Sequence, residues 1–346
     1  MDWASFQKRF KISARRKNLP EEFINYCLEY SKKLYDQSLP IIFDVEHFSK
    51  LIGYQTKYLY SITNGKTKCY YIYTIKKHNG HNRIIAEPYS DLKRIQTWIL
   101  YQILEGVQIS KFAKGYRTGF SLKDNVKFHI NQPVVIKLDV KDFFPSIKMK
   151  YVINLFLKLG YSKALSGLLG RLCCYKGCLP QGSPASPYLS NIYCKQLDDR
   201  IGSYITQCGF RYTRYSDDIT ISGHINDWQI GSIIKLCKTR LAEVGLTLNE
   251  EKTRILRHHN RQVVTGVVLN DKLSVGTKTK KEIRQQIYYI KKYGLESHLQ
   301  HEEITKKNYL YHLAGKINWV LFIEKNNKEF LEYKEFVTNI LAGNYH

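Results

Sequence analysis

The central part of the chain alternates between short β-rich runs and longer segments of helical periodicity. The run "PVVIKLDV", residues 133–140, is almost continuously apolar and β-branched, as expected of a buried strand. "FRYTRYSDDITIS", residues 210–222, places two strand-forming runs on either side of two adjacent aspartates, which predicts a hairpin. Between 226 and 245, apolar residues recur at helical spacing up to a terminating glycine. The order strand, helices, hairpin, helix, strand predicts an α+β fold with a small antiparallel sheet backed by helices.

The flanking segments have simpler patterns. Residues 1–60 have the pattern of polar helices with basic and aromatic residues mixed, and we interpret them as an N-terminal helical extension. Two β-rich runs, 68–77 and 81–88, are joined by a glycine-containing loop and predict a second hairpin. From about residue 275 the pattern is helical to the end. The first of these C-terminal helices has a buried stripe formed by Ile283, Ile287 and Ile290.

The composition indicates a globular protein that binds a polyanion. The 346 residues are 43% hydrophobic, enough for one large domain or two to three packed subdomains. Lys and Arg number 54 against 30 Asp and Glu, a formal charge of +24, which makes nucleic acid the leading partner and lipid headgroups the competitor. Because the sequence lacks a long apolar run and an apolar signal-peptide core, we expect a cytoplasmic protein without a membrane partner.

Eight cysteines are scattered through this large chain without an export signal, so we expect reduced thiols rather than disulfides. Three of them, Cys173, Cys174 and Cys178, lie close together in sequence. Their spacing lacks the paired Cys-x-x-Cys pattern of a structural zinc site, and we predict no zinc there.

Three aspartates suggest catalytic chemistry. Asp217 and Asp218 alone fit an ordinary turn, because aspartate hydrogen-bonds its own backbone. Asp139, however, ends a buried strand, where a lone carboxylate is costly unless it is paired or binds a cation. Strand ends of one sheet can bring the three together, and carboxylate ligands alone select Mg²⁺ or Mn²⁺. Two such ions activate an attacking hydroxyl and stabilise a leaving phosphate oxygen, so a basic protein with this site is predicted to be a nuclease or polymerase.

Five blocks of the sequence, in this order, resemble those of reverse transcriptases: "NRIIAEP", "LDVKDFFPSI", "LPQGSPASP", "RYSDD" and "GLTLNEEKT". Within that superfamily the chain is most similar to the bacterial retron enzymes. The triplet Val264, Thr265 and Gly266 resembles a retron hallmark, and "NVKFH", which contains Asn125 and His129, resembles a second one. That second match departs from the family pattern because Val126 replaces an alanine.

The resemblance implies a right-hand polymerase fold with fingers, palm and helical thumb. We expect the extension at 1–60, fingers at 61–133 with a part in 149–180, palm at 134–262, and the palm–thumb junction and thumb at 263–346. It further implies two Mg²⁺ ions, with Mn²⁺ as the alternative. Their predicted ligands are the carboxylates of Asp139, Asp217 and Asp218 and the backbone carbonyl of Val140. Asp218 has the alternative role of fixing the turn.

The resemblance also assigns roles in binding the incoming dNTP. Arg83 would clamp the triphosphate with its planar guanidinium, assisted by Lys77 or its neighbour Lys76, although a solvated hairpin face also explains the lysines. Gln181 would lie against the nascent base pair. Phe144 would clash with a ribose 2′-hydroxyl and so select deoxynucleotides, with core packing as its alternative role.

Lys252 would donate a proton to the leaving pyrophosphate, although an ordinary surface lysine also fits the pattern. Nucleic-acid contacts are predicted for the residues of the template loop, the primer end, the two retron signatures and the thumb. These residues are Gly182, Tyr215, Asn125, His129, Val264, Thr265, Gly266, Lys281, Arg284 and Lys291. A structural histidine and a solvated basic helix face are the alternatives for His129 and for the thumb cations.

The resemblance thus implies an RNA-directed DNA polymerase that uses a cognate structured noncoding RNA as template and primer. Synthesis would begin at a guanosine 2′-hydroxyl and give branched RNA–DNA. An antiphage role with a separate effector protein is also implied. The competitors are an intron-type or protein-primed bacterial reverse transcriptase, for which an upstream structured RNA is the discriminator, and a catalytically idle RNA-binding scaffold. Phe144 argues against an RNA-dependent RNA polymerase.

Overall fold

The computed structural model describes residues 2–76, 82–301 and 308–343. Within these ranges the helices of the first 126 residues are α1 (Trp3–Arg16), α2 (Glu21–Asp36), α3 (Val45–Ile52), α4 (Thr56–Thr63), α5 (Ser90–Ile99) and α6 (Leu122–Val126). A π-helical turn, Leu100–Leu104, continues α5, and a 3₁₀ turn, Lys127–His129, continues α6. The remaining helices are α7 (Phe143–Ser146), α8 (Met149–Lys158), α9 (Lys163–Cys173), α10 (Ser186–Tyr193), α11 (Lys195–Gln207), α12 (Asp227–Glu243), α13 (Thr277–Tyr293), α14 (Leu295–His301), α15 (Tyr309–Ile323) and α16 (Lys328–Leu341).

In the part of the chain that the structure describes, the strands form three sheets. They are β1 (Tyr70–Lys76), β2 (Asn82–Pro88), β3 (Val134–Lys141), β4 (Arg211–Tyr215), β5 (Asp218–Gly223), β6 (Thr247–Arg257), β7 (Val263–Val264), β8 (Val267–Val268) and β9 (Ser274–Val275). β1 and β2 form an antiparallel hairpin, β4-β5-β3-β6 form a four-stranded sheet, and β7-β8-β9 form a small three-stranded sheet. Both hairpins predicted from the sequence are therefore confirmed.

The chain divides into two compact units. The first comprises 1–117, 140–201 and 235–249, and it contains the β1–β2 hairpin with most of the helices that precede β4. Its helices pack closely: a Cβ at Gly170 of α9 would lie only 2.4 Å from Cγ1 of Ile153 in α8, so only glycine permits this approach. α1 and α2 bury a separate apolar cluster built on Ala14, Ile24 and Leu28.

The second unit comprises 118–139, 202–234 and 250–346, and it holds the paired strands β4 and β5 and the C-terminal helices. Its core joins the small sheet to α13, α15 and α16. The apolar stripe predicted for α13 is confirmed, since its three isoleucines are at most 1% exposed. Among the described helices, none combines the length and the apolar character needed to cross a membrane. All eight cysteines carry free thiols.

Candidate active site

The aspartates meet at the end of the β4–β5 hairpin in the second unit. Ser216 and Asp217 form its two-residue turn, and Asp218 is the first residue of β5. Asp218 pairs with Tyr215 on one side and with Asp139 of β3 on the other. Because residues directly opposite in antiparallel strands share a face, Asp139 and Asp218 lie side by side and Asp217 projects from the adjoining turn.

A buried cation holds the turn in shape. Ser216 has φ of 60°, in the left-handed region that is unfavourable for a residue with a side chain. Arg214, only 1% exposed, donates from Nη1 to the Ser216 carbonyl oxygen at 2.8 Å. We predicted no role for Arg214 from the sequence. The available signal was a cation inside a β-rich run, since a buried charge is tolerated only where it has hydrogen-bond or ion-pair partners.

The carboxylates repel one another. Burial, followed by the charge of Asp217 and more weakly that of Asp139, raises the pKa of Asp218 to about 6, while Lys137 and Lys252 act in the opposite direction. Lys252 Nζ donates to both carboxylate oxygens of Asp139, each at 3.0 Å. The lysine predicted as a proton donor thus lies within the carboxylate cluster and neutralises part of it.

The donor set suits a hard divalent cation. Asp139, Asp217 and Asp218 offer only oxygen ligands. A bound cation would offset the repulsion between these carboxylates. In the described ranges, however, no three or more His, Cys, Asp or Glu side chains are grouped closely enough to hold a metal ion. Val140, also predicted to contribute its carbonyl, is a buried residue of β3.

The residues predicted to bind the dNTP belong to the first unit. Arg83 is exposed on β2 opposite Ile75, and within the described chain it makes no ion pair. Lys77 lies outside the described residues. The Gln181 carbonyl accepts from the Ala86 amide at 2.7 Å, so the loop after α9 is attached to β2. Gly182, with φ of 125°, lies where a Cβ would be 2.6 Å from the Ala86 carbonyl oxygen. This glycine permits close approach of the loop to β2, and its predicted contact with the template stays a prediction.

Phe143 and Phe144 have different surroundings. Phe143 is 2% exposed and packs in the core, whereas Phe144 is partly exposed. The Phe144 ring centroid lies 6.4 Å from that of Tyr116 and 5.4 Å from that of Phe143. Of the two rings, Phe144 is thus the one available to contact a nucleotide.

Asn125 and His129 of the first retron signature lie against β4 and β5. His129, fully buried, contacts Ser222 of β5 through Nδ1 at 2.7 Å and Thr213 of β4 through Nε2 at 2.8 Å. The Thr213 hydroxyl donates to Asn125 Oδ1 at 2.7 Å. Burial lowers the pKa of His129 to about 3, so the ring is neutral. Because Asn125 and His129 are buried, we assign them to holding β4 and β5 rather than to contacting nucleic acid.

The second signature is the turn between β7 and β8. Thr265 and Gly266, the two turn residues, have φ of 47° and 85°, and Val264 is buried. A β-branched residue at positive φ is strained where Asn-Gly is the usual choice. The Thr265 hydroxyl oxygen is also buried without a hydrogen-bond partner among the described residues. Strain and an unsatisfied hydroxyl together are unusual in a turn and are typical of functional sites.

The basic residues of α13 divide into two kinds. Arg284 forms a two-point ion pair with Glu329 of α16 at 2.6 and 2.7 Å, and Lys291 lies 5.0 Å from the Phe336 ring centroid. Lys281 is exposed and, within the described chain, makes no ion pair. Arg284 and Lys291 therefore contact residues of α16. Of the three, Lys281 has the charge most available to a nucleic acid. Tyr215, predicted near the primer end, is half-buried beside Asp218.

Comparison with known proteins identifies the family of this chain. Residues 75–300 match the family described as reverse transcriptase (RNA-dependent DNA polymerase). The chain is 31% identical over 311 residues to the retron Ec86 reverse transcriptase of Escherichia coli, covering 87% of this chain and 91% of that protein. It is 34% identical over 233 residues to the retron Mx162 reverse transcriptase of Myxococcus xanthus, covering 58% and 47%.

Among solved structures, a foamy viral protease–reverse transcriptase in complex with double-stranded DNA aligns with a TM-score of 0.45 and 14% identity over 80% of this chain and 39% of that one. The family match spans most of the chain, and the Escherichia coli relative aligns along nearly its whole length. The chain therefore belongs to the reverse transcriptases, and within them to the retron type, which makes it an RNA-directed DNA polymerase.

Proposed function

We propose that this enzyme copies a cognate structured RNA into DNA, starting from a guanosine 2′-hydroxyl within that RNA, and so produces branched RNA–DNA. The observation that carries the chemistry is the placement of Asp139 directly opposite Asp218, with Asp217 on the adjoining turn and Lys252 against Asp139. Support for the retron reaction comes from the relatives, which are retron reverse transcriptases, and from the strained turn at Thr265.

Reverse transcriptases depend on divalent metal, and we propose Mg²⁺ held by Asp139, Asp217 and Asp218. When bound, these ions would lower the pKa of the attacking hydroxyl and neutralise the triphosphate. Lys252, released from Asp139, donates its proton to the pyrophosphate as the bond between the α-phosphorus and the bridging oxygen breaks. Arg83 clamps the triphosphate and Phe144 excludes ribonucleotides. The residues Gly182, Tyr215, Thr265 and Lys281 are proposed to contact the RNA or the growing strand.

The test is to co-express the protein with the DNA that adjoins its gene upstream and to isolate small nucleic acids. The expected product is an RNase-resistant single-stranded DNA that loses an RNA stub after treatment with debranching enzyme. The double variant Asp217→Asn/Asp218→Asn should make none, while Asp271→Asn, at an exposed aspartate, should make the normal amount. Linear DNA without a branch would favour an intron-type or protein-primed enzyme, and branched DNA from the double variant would overturn the catalytic assignment.

We further propose that the enzyme acts in the cytoplasm in antiphage defence, and that it and its RNA–DNA product restrain a separate effector protein. This proposal follows from retron membership and is tested on cells carrying the gene with its neighbours. Phage plating efficiency should fall in these cells and recover with the Asp217→Asn/Asp218→Asn variant. Equal plating with both would contradict a role for the DNA product.

A further inference from the structure

A cavity of about 360 Å³ lies in the first unit, outside the residues predicted for polymerisation. It is bounded by the end of α4, the connection to β1, the start of β1 and the turn after α9. Its apolar lining includes Ile62, Leu92 and Leu172. A cavity of this size falls in the range of small-ligand sites.

The polar rim is cationic. Lys68, Arg171 and Lys176 line the cavity, and all three are exposed at its mouth. The lining contains no Asp or Glu, and within the described ranges none of the three cations makes an ion pair. Uncompensated positive charge around an apolar floor favours an anionic ligand that also has an apolar face.

The lining includes a pair of aromatic rings. The ring centroids of Tyr70 and Tyr175 are 4.6 Å apart. Tyr70 is 6% exposed, and its hydroxyl accepts from Gln96 Nε2 at 2.9 Å. Tyr175 is half-buried, with Lys176 Nζ 5.6 Å from its ring centroid. Aromatic rings beside cations are the groups on which proteins stack unpaired bases of single-stranded nucleic acid.

The cavity is also connected to the loop that carries Gln181 and Gly182. Gln96, fully buried, donates from Nε2 to the Tyr70 hydroxyl and, at 2.8 Å, to the Leu172 carbonyl oxygen. Its Oε1 accepts from the Ser183 hydroxyl at 2.7 Å. A ligand that contacts Tyr70 or Leu172 therefore touches the hydrogen-bond network that supports this loop.

We propose that this cavity binds one unstacked nucleotide of a single-stranded RNA, with the base against Tyr175 and the flanking phosphates on Lys68, Arg171 and Lys176. The strand, rather than a free nucleotide, is the ligand because the enzyme is an RNA-directed polymerase with a formal charge of +24. The assignment does not depend on the proposed priming reaction, since it concerns binding of RNA without synthesis.

The test measures binding of a fluorescein-labelled single-stranded RNA of mixed sequence by fluorescence anisotropy. The variant Lys68→Gln/Arg171→Gln/Lys176→Gln is compared with Lys8→Gln/Lys57→Gln/Lys158→Gln, which removes the same charge from exposed lysines elsewhere in the first unit. The cavity variant should bind about 10-fold more weakly than this control. Its slope of log Kd against log salt should be smaller by about 0.7 for each phosphate that the protein no longer neutralises.

A second pair of variants tests the stacking. Tyr175→Leu should weaken RNA binding at least about 5-fold relative to Tyr26→Leu at an exposed position, because a base–aromatic stack contributes that much or more. Equal affinities within both matched pairs would overturn the proposal. AMP and UMP serve as competitors, and displacement of the RNA by either at equal concentration would identify a free nucleotide as the ligand and overturn the assignment to a strand. A failed branched-DNA assay would leave these binding results unaffected.

Discussion

At the scale of single residues, the palm contains a carboxylate pair that folding forces together. Asp218 is held opposite Asp139 by strand register, and burial and repulsion raise its pKa to about 6. Lys252 stands against Asp139 in the place where a positive charge is needed. Lys252 thus partly compensates the repulsion between the carboxylates. Removing the charge of Lys252 or of Asp218 should therefore have a measurable effect.

Replacing Lys252 with methionine should slow nucleotide addition by about 100-fold or more, because the leaving pyrophosphate loses its proton donor. The measurement is the single-turnover rate of primer extension at saturating metal and dNTP. Lys272→Met, at an exposed lysine, is the control and should extend at the normal rate. A normal rate for Lys252→Met would assign the lysine to balancing charge alone.

Asp218→Asn should stabilise the metal-free protein at neutral pH while abolishing polymerisation. A carboxyl whose pKa rises from 3.8 to about 6 on folding destabilises the folded state when ionised, so the wild type gains stability as pH falls from above 6 towards 4. The effect is at most about 3 kcal/mol. In EDTA, the variant's Tm should exceed that of the wild type at pH 7.5, and the difference should shrink by pH 4.5. A lower Tm at pH 7.5 would contradict this.

At the scale of elements, two contacts position the palm and the template loop. The loop after α9 lies against β2 through Gly182, and the neutral His129 ring joins the residues before β3 to β4 and β5. Both contacts join segments that are distant in sequence. Each should therefore be sensitive to substitution in a way that exposed neighbours are not.

Gly182→Ala should destabilise the loop and lower polymerase activity, because its Cβ would overlap the Ala86 carbonyl oxygen and its φ is positive. We expect a loss of about 2–4 kcal/mol of unfolding free energy. Gly177→Ala, which also has positive φ but open space around its Cβ, isolates the backbone cost and should lose only about 1 kcal/mol. Equal losses in urea denaturation would rule out the steric explanation.

His129→Leu should lower the unfolding free energy by about 2–4 kcal/mol, because the Ser222 hydroxyl and one bond of Thr213 lose a buried partner. Burial holds the pKa of His129 near 3, below its ordinary 6.5, so the wild type loses stability as pH falls below 6.5. The variant should lack this part of the acid sensitivity. His224→Leu, at an exposed histidine, should keep it in the same pH series of urea denaturations.

At the scale of the whole molecule, the charge of +24 sets the strength of nucleic-acid binding, but not every cation contributes to it. Several basic residues form ion pairs with acidic residues of the protein, as Arg284 does with Glu329. The cations available to a phosphate backbone are those without such partners. Net charge therefore overstates the number of contacts.

Lys281→Gln should weaken binding to an RNA–DNA duplex and reduce the slope of log Kd against log salt by about 0.7 to 0.9, with little change in Tm. Arg284→Gln should instead leave the slope nearly unchanged and lower thumb stability by up to about 1 kcal/mol, since its ion pair is partly exposed. Anisotropy titrations at several salt concentrations, together with thermal melts, distinguish the two. The reverse pattern would place Arg284 on the nucleic acid.

Local pattern alone determined much of this protein. The apolar run of β3, the hairpin around Asp217 and the stripe of α13 follow from neighbouring residues and predicted the α+β class. The polymerase activity was predicted from the resemblance of the motif blocks to those of reverse transcriptases. These features depend on periodicity and turn chemistry, which act over a few residues.

Only the tertiary structure decided which distant residues meet. Lys252 reaches Asp139 across 113 positions, and His129 bridges to Ser222 across 93. Asp218 faces Asp139 because of strand register, Gly182 is required by the backbone of Ala86, and Arg284 is engaged by Glu329. Such contacts depend on how strands pair and helices pack after the chain closes, and one-residue changes in register would exchange the faces of every side chain involved. The sequence by itself identifies the types of residue that form the site. The fold determines which distant side chain each charged residue contacts.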